Sequence, residues 1–217
     1  MNGYFYPDKN AANQREEIQA ALDEARINGR GTVVIEGDRT VDGTLYIGDN
    51  TTVILKNCLL STTNKVLPLF KNYNTLLPRG RTLYGMQKSI SIIGESGVLS
   101  GKIDFTNIID FTVESVTFSD VGCGIFLAYA TGGRLIDLKF QDVGKCIYCG
   151  IGTRNCYFDG IDASGESDSI VFSSDRLQDR VVYYFGPDVK NNIIRGLKAS
   201  TSVSISGEWC QDIIVEE

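Results

Sequence analysis

The sequence predicts an all-β fold, a single-stranded right-handed parallel β-helix with an N-terminal capping α-helix. The first observation is a repeat, because residues 118–125 (FSDVGCGI) return as residues 140–147 (FQDVGKCI), a shift of 140 − 118 = 22 positions. The second is a series of short alternating apolar runs, and the third is a lone amphipathic helical pattern ahead of them. A fixed period in the twenties is typical of solenoid turns that stack on one another.

The apolar residues around the repeat alternate with polar ones, which is typical of strands and does not follow the 3.6-residue period of a helix. Gly, Asn, Asp and Ser separate the runs. Leucine-rich repeats share the period, but they need leucines at positions where this chain has Ile, Val, Phe and Cys. The alternating positions are Phe111, Val113, Val116, Phe118, Leu135, Ile136, Leu138 and Phe140.

The chain length of 217 residues suits one β-helix domain over residues 1–217, with about seven to nine turns at roughly 22 to 25 residues each. Its 23 Gly and 4 Pro suit many tight corners. A net charge of −6 argues against a nucleic-acid partner. The sequence shows neither a secretory leader nor an apolar run of about 18 residues, so we expect no membrane partner. Secreted, cytoplasmic and virion-associated locations all stay open.

Six cysteines raise the question of disulfides or zinc. Cys146 and Cys149 have CxxC spacing, but no second CxxC follows and the chain has no histidine. A four-ligand zinc site therefore has little support. We expect the cysteines to be unpaired, largely buried thiols, which pack as small apolar side chains. We also expect the protein to need no cofactor.

Residues 13–27 form the helical pattern, with Ile18 and Leu22 on one face and charged residues opposite. Asn13, three residues before Glu16, resembles the start of a capping box. The first turn of a parallel stack would otherwise expose unpaired backbone groups and bare apolar side chains. We expect this helix to cover them.

Residues 62–87 interrupt the strand pattern as a loop excursion, and connections of this length are often functional. The wider segment 50–94 contains no Asp or Glu. Its cations, with the aromatics between them, could form a lip that binds an anionic sugar chain; a solvated loop or a subunit contact stays equally open. These residues are Lys56, Lys65, Lys71, Arg79, Arg81 and Lys88, with Phe70, Tyr73 and Tyr84.

Residues 89–217 resume regular turns, and the strand-like runs continue to Val215 without a capping signal. An uncapped parallel edge invites pairing with another chain. A homo-oligomer through the C-terminal edge and a longer natural chain are both open.

Three segments resemble the opening of the pectin-lyase-like β-helix superfamily. They are residues 15–25 (REEIQAALDEA), 31–35 (GTVVI) and 45–55 (LYIGDNTTVIL). Within it, the chain is most similar to polygalacturonase-type glycoside hydrolases of family 28, and residues 92–101 (IIGESGVLSG) resemble the glycine-rich turn that precedes their catalytic turns. The resemblance implies a parallel β-helix that acts on an acidic polysaccharide.

Two further segments resemble the catalytic ones of those hydrolases. Residues 159–162 (DGID) resemble Asn-Thr-Asp-Gly-Ile-Asp without its Asn-Thr, and residues 165–170 (GESDSI) resemble Gly-Asp-Asp-Cys-Ile. This implies catalytic roles for Asp168, Asp159 and Asp162. The family's Gly-His-Gly segment has no counterpart in a chain without histidine.

The spacing of these acids departs from the family. Asp159 and Asp168 are 168 − 159 = 9 residues apart, less than half the repeat, whereas the family's segments lie about one turn apart. Stacking by the repeat places Lys145 beneath Asp168, since 168 − 145 = 23. Asp159 and Asp162 are equally well explained as turn residues, and Asp168 with Lys145 as a surface ion pair.

An acidic polysaccharide or oligosaccharide as partner would need cations for its carboxylates and aromatic rings for its pyranose faces. The predicted substrate-binding residues are Lys145, Arg154, Arg176, Arg79, Arg81 and Tyr84.

The sequence therefore predicts a carbohydrate-active β-helix protein that hydrolyses glycosidic bonds in an acidic polysaccharide. One alternative is a polysaccharide lyase, which needs a base for the C5 proton and often Ca²⁺ for the enolate. Lys145 and Arg154 could act as bases there, and Asp159, Asp162, Glu166 and Asp168 could hold the calcium. The other alternative is a non-catalytic β-helix that binds glycans or belongs to a phage-tail assembly.

Overall fold

The computed structural model describes residues 3–76, 85–163, 168–174, 188–198 and 201–216. These residues form eighteen strands in one sheet and an N-terminal α-helix. The pairings between strands in the described ranges are parallel. The chain is a right-handed parallel β-helix with an N-terminal capping helix, so the predicted fold class is confirmed.

The helix α1 spans Gln14–Ile27, and a short 3₁₀ segment spans Tyr73–Leu76. The strands are β1 (Gly3–Phe5), β2 (Gly31–Glu36), β3 (Arg39–Val41), β4 (Leu45–Ile47), β5 (Thr51–Thr62), β6 (Phe70–Asn72), β7 (Gln87–Lys88), β8 (Ser91–Ser100), β9 (Ile103–Ile109), β10 (Thr112–Glu114), β11 (Thr117–Thr131), β12 (Arg134–Ile136), β13 (Lys139–Cys149), β14 (Tyr157–Asp159), β15 (Asp168–Ser173), β16 (Val189–Arg195), β17 (Val203–Ser206) and β18 (Cys210–Val215).

Seventeen of the strands lie in three stacks, which form three sides of the helix, and the two-residue β7 pairs with the end of β9. The first stack contains β1, β2, β5, β8, β10, β12, β14, β16 and β18. The second contains β3 with parts of β5, β8, β11 and β13. The third contains β4, β6 and β9, then parts of β11 and β13, then β15 and β17. The long strands bend around a corner and so belong to two stacks.

Alternation along each strand sends every second side chain into the core. In the first stack, the fully buried inward column joins Val33, Val53, Ile92, Val113, Leu135, Phe158 and Ile194. In the second stack, Phe118 and Phe140 pair in register, with ring centroids 4.9 Å apart. The 22-residue repeat therefore corresponds to one turn of the β-helix.

The bends between the first and second stacks need a left-handed backbone, with φ between 45° and 76°. Glycine adopts this conformation freely, and Asn and Asp adopt it more often than other residues. The residues at these bends are Gly37, Asn57, Ser96, Ser115, Asp137, Gly160 and Gly196. A corner therefore requires a positive φ but does not require a carboxylate.

Helix α1 begins where the sequence predicts. The Asn13 side chain caps it by accepting a hydrogen bond from the Glu16 amide at 3.2 Å. Ile18 and Leu22 are fully buried against the first turn. The buried Arg39 guanidinium ties the helix to β3 because its Nη1 donates to Gln14 Oε1 at 2.8 Å.

Part of the predicted 62–87 excursion belongs to the β-helix itself. Strand β6 pairs with β4 and β9, so this segment contributes one rung to the third stack. Phe70 lies in the core with 0% exposure, between Leu45 and Ile103. The idea that Phe70 lines a sugar-binding lip is therefore wrong, because the alternation of β6 turns its side chain inward. The Tyr73 ring lies 4.2 Å from the Arg26 guanidinium carbon.

Candidate functional site

A surface groove lies at the corner where the second stack meets the third. Its volume is about 340 Å³, and it is called the corner groove below. The two repeat copies supply most of its walls, and the loop after β5 supplies a lysine. The lining residues are Lys65, Asp120, Val121, Gly122, Asp142 and Gly144.

Asp120 and Asp142 occupy the same position on successive turns. Strands β11 and β13 bend at these residues, with φ of 53° and 55°. The following residues, Val121 and Val143, are buried and pair in register. Because neighbouring parallel strands lie about 4.8 Å apart, the fold places two carboxylates on adjacent rungs at the mouth of one groove.

Two glycines keep the corner groove open. A methyl group at Gly144 would come within 2.9 Å of the Gly122 carbonyl oxygen, so this position requires glycine. A methyl group at Gly122 would have no heavy atom within 4 Å. The groove therefore has free space above Gly122 that a larger side chain would fill.

Lys65 supplies the positive charge of the groove. Its Nζ lies 3.1 Å from Asp120 Oδ2 and donates to the Asp120 carbonyl oxygen at 2.9 Å. It also contacts the Ser100 hydroxyl, at the end of the strand one rung below. Lys65 thus connects Asp120 to the strand one rung below. The Asp120 side chain is 84% exposed, so the ion pair adds little stability.

The structure brings Asp168 and Lys145 together, as the repeat predicts. Asp168 begins β15, and its backbone pairs in register with Lys145. The Lys145 Nζ lies 5.5 Å from the centroid of the Tyr148 ring. Lys145 follows the groove residue Asp142 by three positions on β13, and Asp168 lies one rung above Lys145.

Asp159 and Asp162 lie outside the third stack, to which Asp168 belongs. Asp159 ends β14 in the first stack, where it pairs with Arg195, and its Oδ2 accepts a hydrogen bond from the Tyr157 hydroxyl at 2.8 Å. That hydrogen bond raises the pKa of the Tyr157 phenol. Asp162 forms an isolated parallel bridge with Lys139. The proposed catalytic roles of all three aspartates rest on the family resemblance.

Arg154 is engaged by an acid on the next turn. Its Nε donates to the Asp188 carbonyl oxygen at 3.2 Å, and its Nη2 lies 3.6 Å from Asp188 Oδ2. Lys190 shares the same carboxylate at 3.4 Å. The remaining predicted binding residues lie outside the described residues: Arg79, Arg81, Tyr84 and Arg176.

The sequence analysis missed Asp120 and Asp142 as site residues. Both stand in the repeat, at the same position of each copy, so the stacking of two carboxylates could be inferred from the repeat alone. The resemblance of residues 159–170 to catalytic segments directed attention to another turn. Identical acids at repeat-equivalent positions are the signal that identifies them.

The cysteines are thiols, as predicted, and burial raises the pKa of four of them, Cys58, Cys123, Cys149 and Cys156. Cys146, Cys149 and Cys156 are buried, as is Cys58, while Cys123 and Cys210 are half-buried. Burial raises the pKa of Cys58 to about 11 and that of Cys156 to about 12. Reactive thiols need a lowered pKa instead.

Among the residues that the structure describes, His, Cys, Asp and Glu side chains do not gather in groups of three or more that could hold a metal ion. The described ranges also lack any helix with the length and apolar character needed to cross a membrane.

Solved structures similar to this chain are parallel β-helix proteins. The first, from Parabacteroides merdae, carries a provisional assignment as a glycosyl hydrolase; it has a TM-score of 0.55 and 11% identity over 98% of this chain and 95% of its own. The surface adhesin PfbA of Streptococcus pneumoniae has a TM-score of 0.63 and 16% identity over 94% of this chain and 62% of its own. A mutant tailspike protein of Escherichia coli bacteriophage HK620, solved with a pentasaccharide, has a TM-score of 0.54 and 13% identity over 96% of this chain and 47% of its own.

No protein-family model and no curated protein sequence matches the chain. Identities between 11% and 16% indicate a shared fold alone. The chain spans less than two thirds of the adhesin and of the tailspike. By its fold, the chain belongs to the class of right-handed parallel β-helix proteins.

Proposed function

We propose that this chain is a carbohydrate-active β-helix protein that hydrolyses glycosidic bonds in an acidic polysaccharide, in the manner of polygalacturonase-type enzymes. The observation that carries the proposal is the placement of Asp120 and Asp142 on adjacent rungs of the corner groove. The nearby cations Lys65 and Lys145 support an acidic substrate. The structural similarity to a provisionally assigned glycosyl hydrolase and to a tailspike solved with a pentasaccharide is consistent with it.

Hydrolysis of a glycosidic bond needs one carboxylic acid to protonate the leaving oxygen and one carboxylate to activate water or attack the sugar. The two groups lie about 5–5.5 Å apart in retaining enzymes and about 6.5–9.5 Å apart in inverting ones. Adjacent rungs are separated by about 4.8 Å, so the two side chains start near the spacing of retaining enzymes and reach that of inverting enzymes if they splay apart. The anomeric configuration of the released sugar distinguishes the two mechanisms.

Asp168, Asp159 and Asp162 remain proposed catalytic residues on the strength of the family resemblance. Asp168 fits the corner groove best, because it lies in register with Lys145, which follows Asp142 by three residues on the same strand. It would act on the sugar unit next to the one at Asp142. Asp159, in the first stack, fits a role in turn structure better.

The proposal predicts that the protein depolymerises an acidic polysaccharide by hydrolysis. The test is an assay on polygalacturonate and a panel of other acidic glycans that follows new reducing ends and the absorbance of unsaturated products together. We expect reducing ends to increase without that absorbance, because hydrolysis adds water and leaves no double bond. If both signals rose, and chelation of Ca²⁺ removed them, the activity would be that of a lyase.

A second candidate function is a non-catalytic role in glycan binding or in assembly through the last rung. The observation that favours it is apolar exposure at β17 and β18, where Ile205, Ile214 and Val215 are 51%, 48% and 50% exposed. Such side chains suit association with another copy of the chain. This candidate requires an oligomer in solution or glycan binding without turnover, so a monomer that binds no member of the panel contradicts it.

A further inference from the structure

We infer that the outward side of the third stack carries a second binding surface, which takes the carboxylates of an acidic glycan. The inference rests on the proposed function and extends it, because it names the residues that select a negatively charged chain. The surface, called the lysine–aromatic surface below, consists of Lys71, Lys102, Phe126, Lys145 and Tyr148.

The register of the third stack aligns the outward residues in one column. Lys71, Asp104, Phe126 and Tyr148 pair in succession, each one rung above the last. Their chain neighbours point into the core, as Ile103 and Phe105 do on either side of Asp104. Because alternate residues of a strand face opposite sides, the column must face outward.

The aromatic part of the surface is rigid. The Phe126 and Tyr148 rings are stacked, with centroids 5.6 Å apart and planes only 3° from parallel. Phe126 also packs against a small apolar cluster of Ala128, Tyr129 and Ile151, which is separate from the main core. Two stacked rings on such a support form an apolar strip that is already ordered before a glycan binds, which lowers the cost in side-chain entropy.

Cations lie beside both rings. The Lys102 Nζ is 5.8 Å from the Phe126 centroid, and the Lys145 Nζ is 5.5 Å from the Tyr148 centroid. Lys102 and Lys145 belong to turns two rungs apart, which is about 10 Å along the helix axis. The strip is thus flanked by two positive charges placed to contact different units of one polyanion.

The charge of this surface is opposite to that of the whole chain. Lys71 and Lys102 share one carboxylate, with their Nζ atoms 3.7 Å and 3.9 Å from Asp104 Oδ2. Counting Lys145, three lysines therefore outnumber the two acids in backbone register with this surface, Asp104 and Asp168, on a protein whose net charge is −6. A local cationic patch on an acidic protein favours an anionic partner over a neutral one.

The lysine–aromatic surface continues directly from the corner groove. Phe126 follows Asp120 by six residues on β11, and Lys145 follows Asp142 by three residues on β13. Three residues of strand span about 10 Å. A glycan bound with one bond at the two aspartates therefore reaches the lysines with its neighbouring units.

The test measures binding of a galacturonate octamer by titration calorimetry, in an Asp142→Asn background that prevents turnover. Lys102→Gln and Lys145→Gln should each weaken binding about two- to five-fold, the loss of one accessible charge-assisted contact. The matched control is Lys139→Gln, which removes the same charge from an exposed site on the same strand as Lys145. The methyl-esterified octamer should bind weakly to every variant alike, because it lacks the carboxylates.

The possible results separate the two proposals. Unchanged affinity in both lysine variants, with the octamer still preferred over its ester, overturns the lysine–aromatic surface and leaves the proposed function standing. Absence of octamer binding both in this background and in the wild-type protein overturns both proposals. An equal loss of affinity in the Lys139→Gln control also overturns the surface. Such a result would mean that affinity depends on the net charge of the protein and not on the position of the lysine.

Discussion

Replacing Asp142 or Asp120 with Asn is expected to lower the hydrolysis of acidic polysaccharide by about 100-fold or more, since an acid–base group contributes about 10²- to 10⁴-fold. Asn matches Asp in shape and adopts the same left-handed backbone, so neither change should disturb the corner. The measurement is the initial rate of reducing-end release at saturating polysaccharide, with circular dichroism to confirm the fold.

Two other aspartates provide matched controls. Asp110 and Asp137 are exposed corner residues with φ of 52° and 49°, but they lie at other bends. Asp110→Asn and Asp137→Asn should leave the rate unchanged. Asp168→Asn belongs in the same series, because the family resemblance predicts that it too abolishes turnover. Full activity in the Asp120 and Asp142 variants, with loss in Asp168→Asn, would move the catalytic site to the turn of β15.

Gly122 allows the corner groove to be blocked without touching an acid. A side chain placed there has open space around its first carbon, so Gly122→Leu should fold normally and occupy the groove. We expect it to abolish turnover as strongly as the loss of Asp142. A fully active Gly122→Leu variant would show that the substrate does not enter the groove.

Replacing Gly94 with Ala is expected to destabilise the β-helix by about 3 kcal/mol or more, in the upper range of single substitutions. A methyl group there would lie 2.1 Å from the carbonyl oxygen of Ser115 on the next turn. That atom belongs to backbone held by the stack, so it cannot move without separating the rungs. The measurement is the midpoint of urea unfolding for each variant, compared with the wild-type protein.

Gly122→Ala is the control for the effect of adding a methyl group. Its new carbon meets no heavy atom within 4 Å, so its free energy of unfolding should stay within about 0.5 kcal/mol of the wild-type value. Equal midpoints for Gly94→Ala and Gly122→Ala would contradict the claim that Gly94 is required for close packing against Ser115 on the next turn.

The fold could be predicted because the repeat encodes the register directly. A shift of 22 residues places Phe118 on Phe140, and the two rings stack in the core. The same reasoning places Lys145 beside Asp168, which the backbone register confirms. Where turns have nearly equal lengths, sequence spacing and spatial stacking carry the same information.

The strand at Phe70 could not be predicted in this way, because its turn has an unusual length. Phe70 and Ile103 are stacked partners separated by 103 − 70 = 33 residues, whereas Ile103 and Ile125 are separated by 125 − 103 = 22. Insertions at corners change the spacing without changing the stack. A three-residue strand between two such insertions leaves no periodic signal.

The candidate site was harder to predict than the fold, because a short sequence motif does not show on which side of the β-helix its residues lie. Asp159 stands in a segment similar to a catalytic one, yet its position in β14 places it in the first stack beside Arg195. Asp120 and Asp142 look like turn residues, since each adopts the positive φ of a corner. Only the stacking of two turns shows that their carboxylates share a groove.

The most direct test of the account is a crystal structure of the Asp142→Asn variant with a galacturonate octamer. We expect the sugar chain in the corner groove, with a glycosidic bond between positions 120 and 142 and the neighbouring units along Phe126 and Tyr148. Carboxylates of those units should lie within reach of Lys102 and Lys145. An octamer bound on the first stack near Asp159, or at the open edge of β18, would contradict the account.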